Sequence, residues 1–76
     1  MEIRILGPGC AKCKQLEANA RAAVAALGNG ANIEKVSDLA TIMEYGVMMT
    51  PALVVDGVVK SSGKVLTAEQ IKELLK

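Results

Sequence analysis

The sequence predicts an α/β domain of four strands and three helices, and three observations support that class. Apolar alternation over "EIRIL" indicates a strand, and an alanine-rich segment with apolar residues at helical spacing follows it. Asp56-Gly57, between two apolar runs, is typical of a hairpin turn. The predicted order in one domain, residues 1–76, is βαβαββα. The sheet is mixed and flanked by the helices, because a βαβ unit is parallel and a hairpin is antiparallel.

The first strand and first helix are the most regular part of the pattern. In "EIRIL" (2–6), Ile3 and Ile5 alternate with polar side chains. The cluster "GPG" then breaks regular structure before a helix from Cys10 to Leu27. Apolar residues at helical spacing predict the buried side of that helix: Leu16, Ala20, Val24 and Leu27. "GNG" (28–30) ends it, because Gly and Asn tolerate the left-handed conformation of a helix C-terminus.

A shorter strand and helix come next. "ANIEKV" (31–36) reads as the second strand, and Ser37 or Asp38 can cap a second helix that Gly46 ends. The apolar residues that this helix carries share a helical spacing: Leu39, Ile42 and Met43.

The hairpin and the last helix complete the order. "ALVV" and "VVK" are joined by Asp56-Gly57, a pair suited to the positive φ angles of a type I′ turn. Thr67 and Gln70 form a capping box at the start of the last helix, and Leu66 with Ile71 forms its hydrophobic staple. The apolar side of that helix is predicted to hold Ile71, Leu74 and Leu75.

Composition excludes two classes of function. The net charge is +1 and Tyr45 is the single aromatic residue, so neither a basic stripe nor a stacking platform for nucleic acid is present. The apolar stretch "YGVMMTPALVV" is too short to span a membrane. "MEIRIL" does not read as a signal peptide, and we expect a cytoplasmic protein. In that compartment, a close cysteine pair is more often catalytic or metal-binding than structural.

The two cysteines of the chain stand together in "GPGCAKCK". They could form a redox pair, half of a metal site, or two inert buried thiols. At i and i+3 on a first helical turn their sulfurs can meet, because these positions share a face. If Cys10 opens the helix, the orphan N–H groups and the helix dipole stabilise its thiolate, and Lys12 and Lys14 add positive charge.

The two thiols are expected to differ in role. Cys10, at the open end, is predicted to be the attacking nucleophile, while Cys13, one turn deeper, is more shielded and resolves the mixed disulfide. Gly9 and its neighbours in "GPG" hold the loop away from an approaching partner sulfur. After a first strand and at the start of a helix, this spacing is typical of a redox site.

A metal site is the alternative to a redox pair. Structural zinc takes four Cys or His ligands, and this chain has two cysteines and no histidine. Two thiolates could still hold a soft ion such as Cu(I), or a metalloid, or complete a site across a dimer. We expect no metal or other cofactor.

Pro51 stands directly before an apolar strand, in "MMTPALVV". Proline cannot donate a ladder hydrogen bond, so the first position of a strand suits it. Gly63, between the last strand and the last helix, either permits a close approach to this region or is an ordinary loop glycine. The neighbouring apolar residues are expected to be mostly core, with some in a docking surface: Met43, Tyr45, Val47, Met48 and Met49.

Taken together, "GPGCAKC" and "TPALVVDGVV" resemble the thioredoxin-fold redox proteins, and the resemblance covers essentially the whole chain. The chain is similar above all to the small, glutaredoxin-sized redox-active disulfide proteins. This resemblance implies a thioredoxin fold, a nucleophilic Cys10 and a resolving Cys13. It also implies that Pro51 follows a cis peptide bond and that Thr50 offers its backbone to an extended substrate.

The resemblance further implies a thiol–disulfide oxidoreductase that reduces or exchanges protein disulfides and is reset by a dithiol or flavin reductase. We expect a monomer. Three departures from the family pattern stand out. Gly9 replaces the tryptophan usual before the pair, Ala11-Lys12 replaces the usual central dipeptide, and Arg4 stands where many thioredoxins have a buried acid.

Overall fold

The computed structural model describes residues 1–9, 11–28 and 30–75. Seven elements follow one another in the predicted order: β1 (Glu2–Leu6), α1 (Ala11–Leu27), β2 (Asn32–Val36), α2 (Leu39–Glu44), β3 (Ala52–Val55), β4 (Val58–Ser62) and α3 (Ala68–Leu75). The strands form one sheet in the order β2-β1-β3-β4. β1 and β2 are parallel, and the other two pairs are antiparallel. The predicted α/β class is therefore confirmed; the predicted helix start at Cys10 lies outside the described residues.

Two local predictions are confirmed by backbone angles and hydrogen bonds. Asp56 and Gly57 have φ angles of 50° and 82°, the positive values of the predicted hairpin turn. At the start of α3, the Gln70 amide donates to the Thr67 hydroxyl at 3.2 Å, and the Thr67 amide donates to the Gln70 side chain at 2.9 Å. These reciprocal bonds satisfy two N–H groups that the helix itself leaves unpaired.

One face of the sheet is covered by α1 and α3 and forms the larger core. Its buried residues alternate along the central strands and recur on the two helices: Ile3, Ile5, Leu16, Ala20, Ala23, Leu53, Val55, Ile71 and Leu75. Each fully buried aliphatic side chain of this kind stabilises the fold by about 1.5–3 kcal/mol relative to exposure. This packing holds α1 against the sheet.

The opposite face carries the smaller core under α2. Its buried members are again mainly aliphatic: Leu6, Ile42, Val47, Ala52 and Val54. α2 has six residues, and the Asp38 side chain caps it by accepting a hydrogen bond from the Thr41 amide. The hydrogen bond from the Thr41 hydroxyl, followed by this backbone bond, lowers the pKa of the Asp38 carboxyl. Asp38 is therefore the cap, rather than Ser37.

The expectation that the methionines near Pro51 are mostly core is wrong. Met43, Met48 and Met49 are exposed, as is Leu39 on α2, while Val47 is buried and Tyr45 half-buried. A helix of six residues presents one narrow stripe to the sheet, and in α2 Ile42 fills it. Met48 and Met49 follow in the loop before β3, outside both cores. In the described residues, no helix is long and apolar enough to cross a bilayer.

Candidate redox site

Cys13 lies in the first turn of α1 and is 5% exposed. The helix begins at Ala11, and Leu16, in its second turn, is buried in the larger core against the sheet. Cys13 is therefore anchored on a rigid element, with its side chain turned inward. Cys10, predicted as the nucleophile, lies outside the described residues.

Gly7, on the loop after β1, lies against the Cys13 side chain. A Cβ added to Gly7 would lie 2.3 Å from the Cys13 Sγ and 3.6 Å from the Thr50 Cβ. The loop is held by a hydrogen bond of 2.9 Å from the Gly7 amide to the Val36 carbonyl at the end of β2. Gly7 thus fills the narrow space between Cys13 and Thr50, two residues that the sequence predicted to belong to one site.

Pro51 is buried at the entrance to β3, and the Thr50–Pro51 peptide bond is cis. Thr50 itself is exposed. The Pro51 carbonyl accepts a hydrogen bond of 2.8 Å from the Gly63 amide, which ties the segment after β4 to the segment before β3. Cys13, Thr50, Pro51 and Gly63 therefore surround one end of the sheet.

Gly63 permits a close approach, and the side chain that approaches is Met49. Gly63 has a φ of +70°, and a Cβ there would lie 3.1 Å from the Met49 Cβ and 3.2 Å from its terminal methyl. The Met49 side chain therefore lies over Gly63, next to the hydrogen bond that Gly63 makes to Pro51. Met49 is 65% exposed, and Met48 is 97% exposed. An exposed thioether patch, Met48–Met49, borders the Pro51 side of the site.

Charged groups flank Cys13 along α1 and β2. Lys12 and Lys14 are exposed on the first turn. Glu17, one turn further on the face of Cys13, accepts a bond of 2.7 Å from Arg21, and its other oxygen lies 3.6 Å from the Lys35 ammonium. The Arg21 hydrogen bond lowers the pKa of the Glu17 carboxyl; burial opposes this, and Lys35 reinforces it.

Arg4, where the family pattern has an acid, does not face Cys13. Its guanidinium donates to the Tyr45 hydroxyl, which packs with the smaller core on the opposite face of the sheet. The Tyr45 hydroxyl raises the pKa of Arg4 further above its ordinary value. Arg4 Nε is buried with no partner in the described part of the chain. The charge of Arg4 is therefore separated from the sulfur by the sheet.

The structure adds two residues to the candidate site, Gly7 and Met49, which the sequence did not assign to it. Gly7 was predicted only as a loop residue, and Met49 mainly as core. Gly7 lacks the positive φ that marks the other glycines, so its function is to leave space, and a sequence pattern carries no signal for that. No group of three or more potential metal ligands occurs among residues 1–9, 11–28 and 30–75.

Comparison with known proteins gives the site a context. A family model described as "Thioredoxin domain" matches residues 1–76. A thioredoxin of Methanothermobacter thermautotrophicus is 47% identical over 75 residues, which cover 99% of this chain and 97% of that protein. A thioredoxin of Methanocaldococcus jannaschii is 46% identical over 74 residues, covering 97% of this chain and 85% of that protein.

Proposed function

The chain belongs to the thioredoxin domain family, and we propose that it carries out that family's thiol–disulfide chemistry through Cys10 and Cys13. The Cys10 thiolate attacks a disulfide of a substrate protein, forming a mixed disulfide and releasing one substrate thiolate. Cys13 then attacks the Cys10 sulfur of that mixed disulfide, and the second substrate thiolate leaves. The substrate gains two electrons, and the pair is oxidised to a disulfide.

The observation that supports these roles is the position of Cys13, buried in the first turn of α1 against Gly7 and beside Thr50. A shielded sulfur is poorly placed to attack a large substrate, but it is well placed to attack a neighbour three residues away on the same helical face. The roles follow from this asymmetry. Cys10 meets the substrate, and Cys13 releases it.

Reactivity at Cys10 is supported by its place in the chain. It directly precedes the first residue of α1, where the unpaired N–H groups and positive end of the helix favour a thiolate. Lys12, exposed on that turn, adds positive charge. Gly9 has a φ of +90°, and a Cβ added there would meet no atom of the described part of the chain within 4 Å, which leaves room for an incoming disulfide.

Substrate binding is assigned to the segment before β3. Thr50 is exposed beside Cys13, and its backbone can pair with an extended peptide in the manner of an added strand. The Met48–Met49 patch borders the same segment, and flexible thioethers adapt to varied apolar partners. Gly63 supports this segment through its bond to Pro51. The substrate class is therefore a protein disulfide in an extended segment.

The cycle requires a reductant for the oxidised pair, and we assign that step to a dithiol or flavin reductase. The protein is proposed to act as a cytoplasmic monomer without a cofactor. The alternative function, a soft-metal or metalloid module, is not favoured by the comparisons. Titration of the reduced protein with Cu(I) and arsenite tests it. Stoichiometric binding without disulfide reductase activity would support the metal module.

Trapping of mixed disulfides tests the two roles. Cys13→Ser is expected to accumulate covalent complexes with a disulfide-containing substrate protein, because the attack proceeds and release does not. Cys10→Ser is expected to form few, because the remaining sulfur is buried. Non-reducing gels and intact mass measure both. Equal trapping by the two variants would refute the assignment.

A redox titration against glutathione and dithiothreitol buffers sets the direction of electron flow. A potential below the cytosolic range of about −220 to −320 mV indicates a reductant, and one above that range indicates an oxidant. Iodoacetamide labelling at mildly acidic pH tests the thiolate itself. Cys10 is expected to react faster than a free thiol of pKa about 8.5.

A further inference from the structure

The four methionines of the chain are exposed, and two of them, Met48 and Met49, form the patch that borders the Pro51 side of the site. A thioether in contact with water is open to oxygen transfer from peroxides, which turns the apolar side chain into a polar sulfoxide. Neither side chain of the patch belongs to the two cores, where burial would protect the sulfur. The patch is therefore a place where an oxidant can change the site without reacting with a cysteine.

The two thioethers of the patch differ in what lies beneath them. Met48 is 97% exposed, so almost all of its surface is already solvated. Met49 lies over Gly63, because a Cβ on Gly63 would be 3.4 Å from the Met49 sulfur and 3.2 Å from its terminal methyl. One side of the Met49 thioether therefore faces backbone and the other faces water. An oxidant can reach this sulfur, and the sulfur has a contact to lose.

The backbone under Met49 helps to position Pro51. Gly63 directly follows β4, and its amide donates a hydrogen bond of 2.8 Å to the Pro51 carbonyl. A hydrogen bond in apolar surroundings is electrostatically stronger than the same bond in water. The Met49 thioether covers Gly63 next to this bond, which ties the segment after β4 to the proposed substrate-binding segment, Thr50–Pro51.

A sulfoxide at Met49 cannot keep the contact with Gly63 unchanged. The S–O group is a strong hydrogen-bond acceptor, and a polar group held against the backbone without a donor is disfavoured relative to one in water. The Gly63 amide already donates to the Pro51 carbonyl. A sulfoxide that stays in place competes with Pro51 for this amide, and a sulfoxide that turns into water leaves Gly63 uncovered. Both outcomes weaken the bond that holds Pro51 from the β4 side.

We propose that Met49 is an oxidation-sensitive site, at which hydrogen peroxide forms a sulfoxide that loosens the Gly63–Pro51 contact and weakens the reduction of protein disulfides. The effect on substrates rests on the proposed function, whereas the change at Gly63 does not. In the reaction, the Met49 sulfur attacks one peroxide oxygen, an S–O bond forms and the O–O bond breaks. The proton on the transferred oxygen passes to the departing hydroxide and gives water. The thioether loses two electrons, and the peroxide gains them.

Amide hydrogen exchange at Gly63 tests the structural part of the proposal. Two variants each keep one thioether of the patch: Met48→Leu keeps Met49, and Met49→Leu keeps Met48. The cysteine pair is first converted to its disulfide, which protects both thiols during treatment with peroxide, and peptide mapping identifies the sulfoxides. Each variant is compared with itself before treatment. Because Met1 and Met43 are exposed in both variants, oxidation there does not distinguish the two.

Oxidation is expected to accelerate exchange of the Gly63 amide at least about fivefold in the Met48→Leu protein, because its covering thioether is lost. In the Met49→Leu protein the acceleration is expected to stay below about twofold, since the oxidised Met48 is almost fully solvated. Exchange measured by NMR on both proteins gives the two ratios. Equal ratios, or no acceleration in the Met48→Leu protein, would overturn the inference.

Turnover of two classes of disulfide tests the functional part. Dithiothreitol restores the cysteine pair after peroxide treatment and leaves the sulfoxides in place. The kcat/KM for reduction of insulin is then expected to fall at least about threefold in the Met48→Leu protein, and to fall clearly less in the Met49→Leu protein. Reduction of hydroxyethyl disulfide, which is too small to pair with the segment before β3, is expected to change by less than about twofold in both.

Enzymatic repair separates the sulfoxide from general damage. Methionine sulfoxide reductases of the two classes, one for each sulfoxide epimer, are expected to restore both Gly63 exchange and insulin reduction in the oxidised Met48→Leu protein. Losses that persist after the sulfoxides have been removed would contradict the assignment to Met49.

The outcomes also distinguish this inference from the proposed function. If both oxidised variants lose insulin reduction equally, or neither loses it, the inference fails and the proposed function stands. If the untreated wild-type protein reduces no protein disulfide, the proposed function fails. Exchange at Gly63 then still decides whether Met49 is the oxidation-sensitive site.

Discussion

The sulfur of Cys13 occupies the space that a side chain at Gly7 would need. A Cβ on Gly7 would lie 2.3 Å from the Sγ and 3.3 Å from the Cβ of Cys13. These are distances at which atoms must move. Gly7 is itself buried, and its amide is bonded to β2, so the loop cannot easily retreat. The bare Cα of Gly7 therefore determines where the Cys13 sulfur lies.

Gly7→Ala is expected to slow the resolution of a mixed disulfide by up to about 100-fold, because small misplacements of a reacting group can cost that much. Overpacking should also lower the free energy of unfolding by about 1–3 kcal/mol. Stopped-flow release of substrate measures the first effect, and urea denaturation the second. Wild-type release rates in a folded Gly7→Ala protein would contradict this view of Gly7.

Gly9→Ala is the matched comparison in the same loop. A Cβ at Gly9 meets no atom of the described residues within 4 Å, but the φ of +90° disfavours any L residue. The loss of stability in Gly9→Ala should therefore come from backbone strain, and the Cys13 sulfur should keep its position. We expect a loss of stability with much less slowing of resolution than Gly7→Ala causes.

Some features of the fold and the site could be predicted from the sequence, and others could not. The hairpin turn at Asp56-Gly57 and the capping box of Thr67 and Gln70 were predictable because the groups involved are at most three residues apart. The contact between Gly7 and Cys13 was not, because it depends on how α1 lies against the loop after β1. The exposure of Met43, Met48 and Met49 was not predicted, because the hydrophobicity of these side chains does not reveal that α2 is too short to bury them.

The contact between Met49 and Gly63 should appear as an energetic coupling. Gly63→Ala is expected to lower the free energy of unfolding by about 1–2 kcal/mol, since the φ of +70° is left-handed. In a Met49→Ala background the same change should cost at least about 0.5 kcal/mol less, because the flexible side chain above Gly63 is gone. Urea denaturation of the four proteins measures the cycle. Additive losses of stability would mean that Met49 and Gly63 are not energetically coupled.

Arg4 is expected to contribute to stability without influencing the thiols. Its guanidinium bonds the Tyr45 hydroxyl on the sheet face opposite α1, so Arg4→Gln and Tyr45→Phe should both lower the urea midpoint. The pH dependence of iodoacetamide labelling should stay the same in both variants. A shifted labelling profile in Arg4→Gln alone would instead show that Arg4 acts electrostatically on the cysteines from across the sheet.

Glu17 should make stability depend on pH in a predictable direction. Its bond to Arg21 lowers the pKa of Glu17 below the ordinary value of about 4.3. The ionised carboxylate is therefore more favoured in the folded state than in the unfolded chain. The stabilisation is fully present above the unfolded pKa and is lost as the pH falls through the lower, folded value. A helical pair of this kind contributes about 0.3–0.5 kcal/mol.

Glu17→Gln is therefore expected to lower the free energy of unfolding by about 0.3–0.5 kcal/mol at pH 7, and by progressively less below the ordinary pKa of a glutamate. Urea denaturation from pH 7 to pH 3 measures the difference. Glu44→Gln is the control, since the exposed Glu44 forms no ion pair with any described residue. A Glu17→Gln deficit that persists unchanged at low pH would mean that packing of the side chain, and not its charge, stabilises α1 beside Cys13.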